Sequence, residues 1–185
     1  MEYKEYPKGL RDILKGMNCE KDKIGKSSSK VLRYYDDKKS YYLKVESNYE
    51  IKREAEIMDW LKGRLPVPEK IYFESSGEYH YLLMTELKGL MLSSDYYLNR
   101  PEETVKLLAE GIRMLQSLPI DNCPFDARLE KKLKLAEDNI INGLVDTSTW
   151  EEDNNFSSPE ELLEYLKNKK PKNTTLSFTH GDYTL

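Results

Sequence analysis

The stretch SYYLKVE, residues 40–46, carries the pattern on which the fold prediction depends. Its alternation predicts an extended strand in which Tyr42 and Lys44 share one face. The opposite face is apolar and carries Tyr41, Leu43 and Val45. A lysine in the middle of such a strand has two explanations. Either its stem lies along the sheet and the ammonium reaches water, or the ammonium meets an acidic partner.

The segment that follows, YEIKREAEIMDWLKG (residues 49–63), supplies a candidate partner. Its helical spacing, with a glycine just past its end, predicts an α-helix with one apolar face. That face carries Ile51, Ala55, Ile57, Met58 and Leu61. At about 100° per residue, Glu54 falls within this arc and Glu56 falls on the opposite side. Glu54 either reaches solvent at the boundary or pairs with a cation, for which Lys44 is the candidate.

A strand lysine paired with a glutamate on the following helix is the arrangement with which kinases hold the α- and β-phosphates of a nucleotide. The segment IGKSSSKV, residues 24–31, lies between two strand segments and is small and polar. It lacks the G-x-G-x-x-G pattern. It is therefore either an ordinary hairpin turn or a loop that directs N–H groups at phosphate.

The rest of the chain is predicted to be β-rich first and helix-rich afterwards. One hairpin turns at residues 36–39, and a second turns at Ser76-Gly77. Helices are predicted within 3–18 and over 101–117, 126–142 and 159–168, and a last strand over 175–179. The change falls near TELKG, residues 85–89, which predicts lobes 1–86 and 87–185 with a cleft between them.

The charge and the cysteine content exclude several classes of protein. A net charge of −4 argues against a nucleic-acid partner. Cys19 and Cys123 lack metal-ligand spacing and predict free thiols in a reducing compartment. No segment is apolar enough for a signal peptide or a membrane span, so we expect a cytoplasmic protein without a membrane partner.

Two acidic features are further candidates. Between Leu135 and Leu166 there is no Lys or Arg, while acidic residues occur throughout. This acidic block is either a solvated face or a surface that attracts a cationic ligand. In LSFTHGDYTL, residues 176–185, Asp182 follows the predicted last strand where a loop begins. An acid there is either catalytic or an ordinary turn residue.

With these parts assembled, the chain resembles the aminoglycoside 3′-phosphotransferases, bacterial resistance kinases with a protein-kinase-like fold. The string WL-x-G-x-LPVP together with a late HGDY is fairly specific among small-molecule kinases. The matching motifs are YYLKVES (41–47), REAEIMDWLKGRLPVPE (53–69), YLLMTELKG (81–89), LAEGIRMLQSLPIDNCP (108–124), WEED (150–153), PEELLEYLK (159–167) and LSFTHGDY (176–183).

The resemblance implies an α+β, two-lobe fold, in which the N-lobe is an antiparallel sheet with one inserted helix and the C-lobe is mostly helical. It implies an enzyme that phosphorylates an aminoglycoside hydroxyl with ATP and Mg²⁺, conferring antibiotic resistance. Asp182 is then the expected catalytic base, with His180 bracing its loop. Asp146 and Glu151 are expected to attract the aminoglycoside. The implied nucleotide-binding residues are Gly25 and Ser27 over the phosphates, Tyr42 stacked on adenine, Lys44 on the α- and β-phosphates with Glu54 orienting it, and Thr85 and Leu87 at the adenine edge.

The resemblance breaks off inside the catalytic loop. In the family, an Asn and a later Asp hold the magnesium ions, and both positions fall beyond Leu185. We therefore expect an incomplete C-lobe, no metal ligands within the chain, and a truncated form that is inactive or nearly so. Two alternatives stay open. One is another small-molecule kinase of the same fold, acting on choline, a sugar or homoserine, and the other is a non-catalytic fragment that binds nucleotide.

Overall fold

The structure is a computed structural model that describes residues 3–21, 30–148, 150 and 154–181. These residues form two compact units, residues 3–114 and residues 115–181. The predicted α+β class is confirmed, while the predicted lobe boundary at 86/87 stays a prediction. After a 3₁₀ turn Tyr3–Glu5, the elements are α1 Lys8–Leu14, β1 Asn18–Lys21, β2 Lys30–Tyr35, β3 Ser40–Glu46, α2 Glu50–Leu61, β4 Lys70–Ser76, β5 Tyr79–Thr85, α3 Asp95–Leu98, α4 Pro101–Gln116, α5 Leu129–Ile141 and α6 Pro159–Asn168.

The five strands form one antiparallel sheet in the order β1-β2-β3-β5-β4. The predicted turn between β2 and β3 is present, because the Asp36 carboxylate accepts the N–H groups of Lys38 at 2.7 Å and Lys39 at 2.8 Å. The β4–β5 turn contains Gly77 at φ +61°, a conformation that suits glycine. The short strand β1, whose bounds were not predicted, extends the sheet beyond β2.

Apolar side chains cover both faces of the sheet. One face packs against α1 in a cluster of Tyr6, Leu10, Leu14, Leu32, Tyr34, Leu43, Val45, Tyr81 and Leu83. The other face packs against α2 in a cluster of Ile51, Ala55, Met58, Leu82 and Met84. Both clusters include residues of β5, so this strand is covered on both sides. That explains why YHYLLMT is almost continuously apolar, whereas β3 alternates.

Helix α2 confirms the prediction for residues 49–63 to within two residues at each end. Ile51, Ala55, Met58 and Leu61 are buried, Glu54 is half-buried and Glu56 is exposed. Gly63 adopts φ +75° just past the end of the helix, as a C-terminal glycine commonly does. Since the helix follows β3 directly and covers the sheet, its half-buried edge faces the polar side of β3.

The helices of the second half lie close to their predicted positions. Helix α6 begins with Pro159, and the Ser158 hydroxyl accepts the Glu161 N–H at 3.2 Å, which caps the helix. The Glu161 carboxylate accepts the Ser157 N–H at 2.8 Å in return. Within the described ranges, no helix combines the length and the apolar character that a bilayer crossing needs.

Two predicted elements differ from the structure. The first helix is confined to Lys8–Leu14, because Pro7 precedes it and Gly16 follows at φ +82°. Residues 173–180 contain no regular secondary structure, so the strand predicted over 175–179 is wrong. An apolar alternation forms a strand only in a ladder with a neighbour. The strands of the described sheet all lie between Asn18 and Thr85.

Candidate active site

The predicted contact between Lys44 and Glu54 is present. The Lys44 Nζ donates to both carboxylate oxygens of Glu54, at 3.0 Å to Oε1 and 2.8 Å to Oε2. Strand β3 supplies the lysine and α2 supplies the glutamate. The two side chains are 26% and 38% exposed, so the ammonium is oriented by a fixed partner and is still accessible. A pair this exposed contributes at most about 1 kcal/mol to stability, so its geometry suggests a role other than folding.

A second carboxylate lies on the same side of β3. Burial raises the pKa of Glu46, and the neighbouring charges of Glu54 and Glu50 raise it further, while Lys44 acts in the opposite direction. The ammonium of Lys44 therefore has two carboxylates near it, those of Glu54 and Glu46. A cation of this kind, held at one edge by carboxylates, has donors available for an anionic ligand such as phosphate.

Tyr42 lies on the same face, two residues before Lys44. In the ladder it pairs with Arg33 of β2 on one side and with Met84 of β5 on the other. It packs against the edge of the α2-side cluster and is half-buried. An aromatic ring beside a fixed ammonium is an arrangement suited to a ligand with a planar group next to a phosphate chain.

The end of β5 has an unusual hydrogen-bond pattern. The Thr85 N–H donates to the Glu69 carbonyl at 3.0 Å, but the Glu69 N–H donates to the Thr85 hydroxyl at 2.9 Å. The hydroxyl thus takes the donor that a regular ladder would give to the Thr85 carbonyl. Leu87, two residues further on, is 53% exposed. Both positions are compatible with the predicted backbone contacts to an adenine edge, which stay predictions.

Several predicted site residues are not among those that the structure brings together around Lys44. Gly25, Ser27, Glu151 and Asp182 lie outside the described residues. His180 is exposed and precedes Gly181, which adopts φ +92°. Their predicted roles are untested.

The acidic block is partly neutralised by lysines just outside it. Lys167 Nζ lies 2.8 Å from Glu137 Oε1, and Lys134 Nζ lies 2.8 Å from Asp138 Oδ1. Asp146 is exposed, and its carboxylate accepts the Ser148 N–H at 2.9 Å. Hydrogen bonds from the Ser148 side chain and backbone lower the pKa of Asp146, so it is an anion at neutral pH. Its predicted contact with a cationic substrate is untested.

Comparison with known families decides what kind of protein carries these features. A family model described as "Phosphotransferase enzyme family" matches residues 19–185. The chain belongs to this phosphotransferase family. An aminoglycoside 3′-phosphotransferase of Enterococcus faecalis is 36% identical over 182 residues, which are 94% of this chain and 69% of that protein. The resemblance stated from the sequence motifs is confirmed.

Solved structures of phosphotransferases support the same fold. An aminoglycoside 3′-phosphotransferase of type VIII matches with a TM-score of 0.75 and 25% identity, over 94% of this chain and 66% of that chain. A Streptomyces rimosus aminoglycoside phosphotransferase in complex with ADP and streptomycin matches with a TM-score of 0.59 at 22% identity, over 86% of this chain and 58% of that chain. The second likeness shows the fold alone. The chain spans about two thirds of the length of the Enterococcus faecalis and type VIII proteins and a smaller share of the Streptomyces rimosus protein.

One ion-pair cluster of this phosphotransferase was not predicted from the sequence. Arg33 of β2 contacts Glu86, which follows β5, and also Glu20 of β1. Arg33 and Glu86 are 53 positions apart, so no local periodicity joins them. The one available signal was the place of Glu86 in TELKG, between the two residues predicted to bind the adenine edge.

Proposed function

We propose that the chain forms the nucleotide-binding part of an enzyme that transfers the γ-phosphoryl group of ATP to an aminoglycoside hydroxyl. The names of the relatives favour the 3′-hydroxyl. The observation that carries the proposal is the two-point contact from Lys44 to Glu54, next to Tyr42 on an accessible sheet face. In kinases a lysine held in this way binds the α- and β-phosphates.

Each residue of the face has one task. Lys44 neutralises the α- and β-phosphates, and Glu54 keeps its ammonium in place when no ligand is bound. Tyr42 stacks on the adenine ring. The Thr85 carbonyl and the Leu87 N–H bind the adenine edge, and Gly25 and Ser27 lie over the phosphates.

In the transfer step, the oxygen of the sugar hydroxyl attacks the γ-phosphorus. The bond from phosphorus to the β–γ bridging oxygen breaks, and ADP leaves. Asp182 accepts the proton of the attacking hydroxyl, while His180 braces the loop that carries Asp182. Asp146 and Glu151 attract the polycationic substrate.

Magnesium would neutralise the phosphates in such a reaction. Across residues 3–21, 30–148, 150 and 154–181, no group of three or more His, Cys, Asp or Glu side chains is placed to hold a metal ion. The described residues therefore do not make up a magnesium site, and no step above depends on one. The requirement for Mg²⁺ stays a prediction, as does a cytoplasmic location.

ATP binding by the chain, measured by calorimetry, tests the nucleotide site. Lys44→Met removes the phosphate contact and should weaken ATP binding about tenfold or more. Tyr42→Ala should weaken it about tenfold, whereas Tyr42→Phe keeps the ring and should bind normally. Lys52→Met, at an exposed lysine on α2, is the matched control. Unchanged affinity in Lys44→Met would overturn the proposed site.

The substrate class is tested with the natural protein that contains residues 1–185. Phosphorylation of kanamycin, followed by mass spectrometry, should be lost with an analogue that lacks the 3′-hydroxyl. A panel of choline, a hexose and homoserine should give no product. Turnover of one of these compounds, with none of kanamycin, would show a different small-molecule kinase.

A further inference from the structure

The Arg33 cluster has no role in the proposed function described above. The Arg33 guanidinium donates to Glu86 at two points, from Nε to Oε1 at 3.1 Å and from Nη2 to Oε2 at 3.0 Å. Its Nη1 donates to Glu20 Oε1 at 2.9 Å. The guanidinium carbon also lies 4.9 Å from the centre of the Tyr35 ring. Contacts from β1, from β2 itself and from the residue that follows β5 therefore fix this one side chain.

Glu86 is the point at which the chain leaves the sheet. Its N–H donates to the Ser40 carbonyl at 3.1 Å, and the residues from Glu86 to Met91 have no helix or strand. Arg33 thus holds the side chain of the same residue whose backbone is tied to β3. Thr85 and Leu87, on either side of Glu86, are the residues assigned to the adenine edge.

The ladder register places this bridge beside the stacking residue. Arg33 pairs with Tyr42, and Tyr42 pairs with Met84. Glu86 follows Met84 by two residues, so both point to the same face of the sheet. The bridge from Arg33 to Glu86 therefore crosses β3 next to Tyr42, between β2 and the end of β5.

The bridge is charged at neutral pH. Hydrogen bonding to Glu86 raises the pKa of Arg33, and the Arg33 guanidinium holds the pKa of Glu86 below its usual value. The two side chains are 30% and 27% exposed. A two-point contact between an arginine and a carboxylate fixes orientation as well as distance, which a single-point contact of a lysine does not.

We propose that Arg33 is a positioning residue for base recognition, which sets the backbone of Thr85 and Leu87 at the correct distance from the Tyr42 ring by holding Glu86. The inference rests on the proposed nucleotide site. Arg33 acts through Glu86 and has no contact with the phosphates. Its loss therefore displaces the groups that bind the base and leaves Lys44 and Glu54 in place.

The test compares two ligands, ATP and inorganic tripolyphosphate, which has no base. Arg33→Met should weaken ATP binding by roughly tenfold and leave tripolyphosphate binding unchanged, whereas Lys44→Met should weaken both. Glu86→Gln should repeat the effect of Arg33→Met, and the double variant should bind ATP no worse than either single variant. Lys62→Met is the matched control, because it removes the cation of the exposed Lys62–Glu69 pair.

The possible results separate the two proposals. If wild type does not bind ATP, the proposed function fails and this inference fails with it. If wild type binds ATP but the Arg33 and Glu86 variants bind it normally, the positioning role alone is refuted. Equal losses for ATP and tripolyphosphate, or additive losses in the double variant, would show that the cluster only stabilises the fold. If circular dichroism shows that Arg33→Met does not fold, ATP binding by the isosteric variant Glu86→Gln decides whether the bridge has the positioning role.

Discussion

The neighbouring residues Leu82 and Leu83 offer a paired test of the two sides of the sheet. Both are fully buried, at 0% exposure, in the covered strand β5. Leu83 belongs to the α1-side cluster, and Leu82 belongs to the α2-side cluster. Leu82 is also the ladder partner of Lys44. Truncating each to alanine should lower stability by a similar amount but affect the nucleotide site differently.

The expected loss follows from burial. A fully buried leucine replaced by alanine costs about 3 kcal/mol, including the cavity that is left. For a chain of this size that corresponds to a melting temperature about 6–12 °C lower. Leu82→Ala also loosens the packing under α2, which carries Glu54. We therefore expect ATP binding roughly threefold to tenfold weaker in Leu82→Ala and unchanged in Leu83→Ala.

The measurements are urea unfolding followed by circular dichroism, and ATP binding by calorimetry at a temperature well below both melting transitions. Leu83→Ala serves as the control for Leu82→Ala, because the chemical change and the burial are the same. The reasoning would be refuted if Leu83→Ala weakened ATP binding as much as Leu82→Ala did. Stability losses well under 1 kcal/mol in both variants would refute the two-sided core itself.

Three further predictions concern charge and helix capping. Because burial raises the pKa of Glu46, ionisation of its carboxylate destabilises the fold, so Glu46→Gln should raise the melting temperature at pH 7. This gain should shrink as the pH falls through the raised pKa and be absent below about pH 4, where the carboxyl is protonated in both the folded and the unfolded state. The hydrogen bond from Lys167 lowers the pKa of Glu137, so Glu137→Gln should lower the melting temperature at pH 7, and this loss should shrink as the pH falls. Thermal melts from pH 3 to 8 test both variants. Changes in melting temperature of the same sign in Glu46→Gln and Glu137→Gln would contradict the reasoning. Ser158→Ala should destabilise α6 by about 1 kcal/mol in urea unfolding, and Ser158→Gly by only a few tenths; no loss in the alanine variant would mean that another acceptor serves the Glu161 N–H.

Local periodicity was sufficient to predict the centre of the first unit. The alternation in SYYLKVE and the helical arc around Ile51 fixed which side chains are buried, and the position of Glu54 within that arc pointed to Lys44. Pro159 likewise marked the start of α6. In each case the deciding signal lies within a few residues along the chain, where backbone geometry alone sets side-chain direction.

Contacts between distant segments could not be predicted in this way. The Arg33–Glu86 contact depends on the strand order, in which β3 separates the two residues. The short strand β1 forms only because β2 offers it a ladder. The alternation at Leu176 and Phe178 led to the wrong prediction of a strand, because an alternating pattern forms a strand only where a neighbouring strand is available. Four residues with predicted roles lie outside the described part of the chain, namely Gly25, Ser27, Glu151 and Asp182.

The position of β5 between β3 and β4 has a consequence for folding during translation. The hairpin of β2 and β3 is synthesised first, but the neighbour of β3 is complete only at Thr85. Until then Leu43 and Val45 lie next to an open strand edge, which invites pairing with another nascent chain. Translation that pauses within α2 would prolong this exposure, whereas rapid elongation through residues 47–85 would shorten it.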